Sequence, residues 1–191
     1  MPKLWSETIE AHRREVRDAI VDTAAALVAH HGLRSVTMSQ IADETGIGRA
    51  TLYKYFPDVE AILHAWHERQ IAGHLRYLAE VRDGAPEGRR LEAVLHAYAD
   101  LSRGSHGHRD RDLAAFLHRD DQMIRAEREL VRMIRDVIAD DAAAGVLRGD
   151  VPPDELATYC LHALAAARAV SSKAAVRRLV DVTIDALRRA G

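Results

Sequence analysis

The residues from Gly48 to Phe56, Gly-Arg-Ala-Thr-Leu-Tyr-Lys-Tyr-Phe, hold two bases and no acid, and they collect three of the chain's nine aromatic side chains (two Trp, five Tyr, two Phe). If Leu52 and Phe56, one helical turn apart, form a hidden face, helical geometry turns Arg49, Ala50, Tyr53 and Lys54 outward. Such a set suits a nucleic-acid duplex. The guanidinium of Arg49 matches the paired acceptors of a guanine edge, and Ala50 is small enough for the backbone to approach a base. Thr51, Tyr53, Lys54 and Tyr55 carry donors for phosphates. A solvated amphipathic helix would show the same pattern, so the elements around the segment have to decide.

Those elements are helical. Thr37-Met-Ser-Gln40 has capping-box spacing, in which the Thr37 hydroxyl takes an orphan amide and Gln40 reaches back to the Thr37 amide. Ile41 and Ala42 then face inward, and Gly46 supplies the left-handed backbone that stops the helix. Gly48 is a tolerable N-cap for Arg49 to Phe56, and Pro57 halts that second helix. Two short helices joined by a tight glycine turn have the shape of a helix-turn-helix. Ahead of them, Val16, Ile20, Ala24, Leu27 and Val28 give a helix over Arg14–His31 one apolar stripe, with Gly32 placed to end it.

From Arg14 to about Leu63, a quarter of the chain, the sequence resembles the N-terminal domain of the TetR family of bacterial transcriptional regulators. Three pieces carry the resemblance: Arg14-Glu-Val-Arg-Asp-Ala-Ile-Val-Asp-Thr-Ala, His31-Gly-Leu-Arg-Ser-Val-Thr-Met-Ser-Gln-Ile-Ala, and Thr45-Gly-Ile-Gly-Arg-Ala-Thr-Leu-Tyr-Lys-Tyr-Phe-Pro-Asp. They stand in order and at matching spacing. The resemblance implies base reading by Ser39, Arg49 and Ala50, phosphate or base-methyl contact by Thr51, Tyr53 and Tyr55, and anchoring of the first short helix by Thr37. It also implies operator DNA as partner, repression as the usual outcome, and release by a small molecule bound in the C-terminal domain. Gly48 stands where a serine usually caps the recognition helix, Thr45 replaces a common alanine, and Val59 replaces a lysine often placed on a phosphate.

Length and composition set the outer bounds. With 191 residues, 48% hydrophobic and 29% charged, the chain can bury the core of one or two small domains, which excludes disorder and collagen-like repeats. Apolar residues recur at three- and four-residue intervals, so the fold expected is all-α: a three-helix DNA-binding domain over residues 1–57 and a helical effector-binding and dimerisation domain over 58–191. No apolar run approaches the roughly 20 residues of a membrane span, and acids stand where a signal peptide would have its apolar core, so a cytoplasmic protein is expected with no membrane partner. Through Phe56 seven Lys and Arg meet seven Asp and Glu. A neutral domain has to bind DNA through local geometry and through two copies acting together.

In the larger domain, Leu156, Cys160, Ala163, Leu164 and Ala167 share one stripe, and Val176, Val180, Thr183, Ile184 and Leu187 share another. Two such helices from each copy would build a four-helix interface about a two-fold axis, and reading a pseudo-palindrome requires a symmetric mate. The same stripes could instead pack on the chain's own core. For a small amphipathic or apolar effector, the candidate lining is Ile62, Trp66, His67, Gln70, His74 and Tyr77 on the long helix that follows Asp58, with Tyr98, Phe116, Met123 and Met133 facing it. Plain core packing is the competing reading of these residues.

Eleven histidines, including His64/His67 and His106/His108, lack the cysteine or carboxylate partners of a recognisable ligand set, so no metal and no cofactor is expected. Neither a nucleophile elbow, a phosphate-cradling glycine loop nor an HExxH helix is present, so an enzyme is not expected. The function expected is ligand-released DNA-binding regulation. The alternative is a ligand-binding or sequestering protein whose DNA-binding unit has decayed, which Val59 and the neutral charge would suit.

Overall fold

Where helices begin and end in this chain is set by a few capping side chains and positive-φ glycines. The computed structural model describes residues 3–32, 35–104, 121–170 and 172–188, and α-helices occupy most of them. The chain divides into two compact units, Met1–Gln70 and Ile71–Gly191.

The first unit opens with α1, Lys3–His31. It begins well before the expected Arg14, since neither Gly nor Pro interrupts the sequence from Lys3 onward, and Arg13 and Glu10 pair at 3.4 Å one turn apart. Gly32, at φ +83°, closes it by donating its amide to the Val28 carbonyl at 2.9 Å. Helix α2, Met38–Thr45, starts on the expected capping box: Thr37 Oγ1 accepts from the Gln40 amide at 3.3 Å, and Gln40 Oε1 accepts from the Thr37 amide at 2.8 Å. Replacing Thr37 by alanine is expected to lower the stability of this unit by about 0.5–2 kcal/mol. The check is chemical denaturation, with Thr37→Ser restoring most of the loss.

Gly46, at φ +74°, ends α2, and the Ile47 amide reaches the Ala42 carbonyl at 3.1 Å. Helix α3, Arg49–Tyr55, follows after three residues with Gly48 as N-cap, and Phe56 stops it in extended backbone before Pro57. Asp58 Oδ1 then accepts the Ala61 amide at 2.8 Å and starts α4, Val59–Gly84. The buried side chains of this unit are those of Ile20, Val21, Ala24, Val28, Val36, Ile41, Ala42, Leu52, Phe56, Ile62, Leu63 and Ala65. The unit extends to Gln70 because the opening turns of α4 bury Ile62, Leu63 and Ala65 within it.

The second unit takes the rest of α4, then α5 (Arg90–Gly104), α6 (Asp121–Ala143), α7 (Pro153–Ala165) and α8 (Lys173–Leu187). After Ala165 the chain tightens into a 3-10 turn over Ala166–Ala169 instead of continuing as α-helix to Ser171. Ser172 Oγ caps α8 by accepting from the Ala175 amide at 3.1 Å. Leu95, Ile134, Ile138, Leu164 and Leu187 are fully buried in one core that draws on all four of these helices. The short helix expected around Leu113, Phe116 and Leu117 lies outside the described residues.

Candidate nucleic-acid interface

In α3 the side chain of Leu52 is wholly buried and Phe56 nearly so, while Arg49, Ala50, Thr51, Tyr53 and Lys54 are exposed, Tyr53 by 56%. The expected division of this helix into a hidden and a free face is therefore present. Tyr55 is half-buried. Thr37 is exposed at the start of α2, and Ser39, in its first turn, is half-buried. The ring of Phe56 is held from outside by the guanidinium of Arg17, 4.9 Å from its centroid, which ties the end of α3 to α1.

Charge sets α3 apart from its surroundings. Neither Arg49 nor Lys54 is ion-paired among the described residues, whereas Arg13 is paired with Glu10 and Arg69 with Asp18 and Asp22. Two cations without internal partners, on a helix lacking acids, keep their charge for an external anion. That is how a domain of balanced overall charge can present a positive reading face.

An exposed second helix carrying Arg, Ala, Thr, Tyr and Lys, braced by a first helix across a glycine turn, defines a helix-turn-helix nucleic-acid-binding domain. Residues 20–66 match the family described as bacterial regulatory proteins, tetR family, and the chain carries the N-terminal domain of that family. The nucleoid occlusion factor SlmA of Haemophilus influenzae is 26% identical over 107 residues, which cover 56% of this chain and 48% of SlmA. The chain thus spans about half the length of the curated relatives it matches. Among solved structures, a TetR/AcrR-family transcriptional regulator from Thermobifida fusca superimposes with a TM-score of 0.70 at 21% identity, covering 91% of this chain and 98% of that one. A Saccharomonospora viridis protein in complex with choline does so at 0.70 and 21%, covering 93% and 100%. These likenesses extend the family's all-α fold to the second unit.

The residues expected to line an effector site are scattered. Ile62 is fully buried in the core of the first unit and is therefore not a pocket wall. Trp66, His67 and Gln70 are half-buried in that unit, while His74 and Tyr77 are exposed in the second. Met133 is buried with Leu78 and Ala97, and Tyr98 packs against the same cluster, so both serve as core. Phe116 and the side chain of Met123 lie outside the described residues.

The stripes expected to form the dimer interface need correction. Leu156, Cys160, Leu164, Ala167, Val176, Val180, Thr183, Ile184 and Leu187 are all buried within a single chain, and Ala163 is half-buried. They belong to the chain's own core, where burial pushes the Cys160 thiol up to about 12 and keeps it inert. What α7 and α8 leave free is the opposite side: Tyr159, 45% exposed, with His162 and Ala166 along one, and Ala174, Arg178, Val182 and Ala186 along the other, with Val182 at 65%. The signal was legible as a second stripe at four-residue spacing, but it is less apolar than the first.

Among the described residues no group of three or more His, Cys, Asp or Glu side chains is placed to hold a metal ion, and His106 and His108 fall outside them. No helix among them is long and apolar enough to cross a membrane.

Proposed function

We propose that this protein is a homodimeric transcriptional regulator that binds operator DNA through α3 and is released from it by a small amphipathic or apolar ligand, so that it acts as a repressor. The observation that carries the reading is the α3 face: Arg49 and Lys54 unpaired and exposed above buried Leu52 and Phe56. In the major groove Arg49 donates in pairs to a guanine edge, Ala50 permits close approach, and Thr51, Tyr53, Lys54 and Tyr55 hold the phosphates, with Thr37 and Ser39 at the start of α2 assisting. The complex of the Saccharomonospora viridis protein with choline supports a small-molecule effector in this fold. The ligand would act by population shift, favouring a dimer whose two recognition helices no longer match the half-site spacing.

Titration against the DNA upstream of its own gene, at several salt concentrations, tests this reading. A sequence-specific complex supports it. Salt-sensitive binding with no sequence preference points instead to a ligand-binding protein with a decayed DNA-binding unit.

The mate is placed on the free sides of α7 and α8. Tyr159 and Val182 offer apolar bulk, Ala166, Ala174 and Ala186 allow close approach, and Arg178 stands near Asp181 and Asp185 in sequence, a self-complementary mixture suited to a two-fold contact. Val182→Asp is expected to yield a folded monomer, because the side chain has no place in the chain's own core. Sedimentation would show the halved mass with helical content kept; a dimer of unchanged affinity would move the interface elsewhere.

A further inference from the structure

Helix α4 runs without interruption from Val59 to Gly84, yet the two compact units meet within it, between Gln70 and Ile71. Its burial is uneven. Ile62, Leu63 and Ala65 anchor its first turns and Leu78 is buried further on, but none of the side chains from Trp66 to Tyr77 is buried. Gly73 lies in the middle of this stretch, at ordinary helical φ, and a Cβ placed there would meet nothing within 4 Å. Neither close packing nor a left-handed backbone accounts for a glycine at that position. What it does supply is a weak point in the helix.

Just before the boundary, Arg69 spans two carboxylates of α1. Its Nη1 lies 3.4 Å from Asp18 Oδ1 and its Nη2 is hydrogen-bonded to Asp22 Oδ1. Asp18 and Asp22 are one helical turn apart, so a single guanidinium fork engages both. Unlike local pairs such as Arg13–Glu10 or Arg188–Asp185, this one joins segments 51 and 47 residues apart. It is the contact that fastens the last turn of α4 inside the first unit.

We propose that Arg69, with Asp18 and Asp22, is a latch that makes residues 59–70 of α4 one body with the DNA-binding unit, and that α4 bends in the unpacked stretch around Gly73 immediately beyond it. The inference rests on the regulator reading above and names its moving part. Arg69 is a positioning residue: it touches no DNA, but it fixes where along α4 the motion begins. With the latch closed, a bend at Gly73 swings the whole helix-turn-helix as a unit. With the latch removed, the pliant stretch reaches back to Trp66 and the pose of α3 becomes diffuse.

Hydrogen exchange on the full-length protein, without DNA or ligand, tests the device independently of any DNA-binding activity. Amides 70–77 are expected to exchange faster than those over Ile62–Ala65. Gly73→Ala should slow them about fivefold while leaving residues 59–66 unchanged. Arg69→Ala should speed exchange at 66–70 to the level of 70–77, with the overall melting transition retained. Uniform protection along α4, or no response to either substitution, would overturn the proposal. Spin labels at Glu44→Cys, with buried Cys160 unreactive, read the consequence in the dimer: the distance distribution between copies should narrow in Gly73→Ala and broaden in Arg69→Ala, and equal widths would refute the link to recognition-helix spacing. Absence of any dipolar signal would sink the dimer reading instead, and the exchange result would still decide the hinge.

Discussion

Arg49→Ala is expected to weaken binding to the operator by about 1–3 kcal/mol per half-site, or roughly 5- to 150-fold, and to relax base preference at one position of each half-site. A dimer carries the loss twice. The reasoning is geometric. Arg49 is the first residue of α3, exposed and without an ion-pair partner among the described residues, so its guanidinium needs no internal bond broken before it reaches a base. Binding to random DNA should fall much less, since that depends on the number of phosphates neutralised. Fluorescence anisotropy with operator and scrambled duplexes separates the two. An equal loss on both, with a shallower salt dependence, would mean that Arg49 sits on a phosphate and that base reading lies elsewhere.

The second large effect lies beneath the reading face. Leu52→Ala should destabilise the first unit by about 2–5 kcal/mol, because a wholly buried leucine loses both its transfer free energy and the contacts around the cavity left behind. A unit of this size has little stability in reserve, so DNA binding should be lost at temperatures where the second unit, with its separate core, stays folded. Differential scanning calorimetry would show one transition moved down and the other held. Tyr53→Ala, at the exposed position next to it, should leave both transitions nearly in place, and a comparable loss of stability there would contradict the assignment of faces.

Local chemistry explains what could be read in advance. The capping box at Thr37 and Gln40, the positive-φ glycines at 32 and 46, the Asp58 cap and the stop at Pro57 act within four residues of where they sit, and the helices of the DNA-binding unit follow them. The free face of α3 was legible for the same reason, since Leu52 and Phe56 are its strongly apolar positions at helical spacing. The length of α1 was not, because nothing in the residues before Arg14 either demands or forbids a helix.

By itself, then, the amino-acid order determined the helical class, the helix-turn-helix and the residues it offers to DNA, all consequences of short-range capping and periodicity. Tertiary structure alone decided which side of α7 and α8 is core and how much of α4 belongs to the DNA-binding unit. Leu156, Cys160 and Leu164 make an apolar stripe that would serve equally against a mate or against α5, α6 and α8, and only the arrival of those distant helices assigns it inward. Arg69 likewise finds Asp18 and Asp22 only because the chain folds α4 back onto α1. Burial and long-range ion pairing depend on which segments become neighbours, and periodicity along one helix carries no record of that.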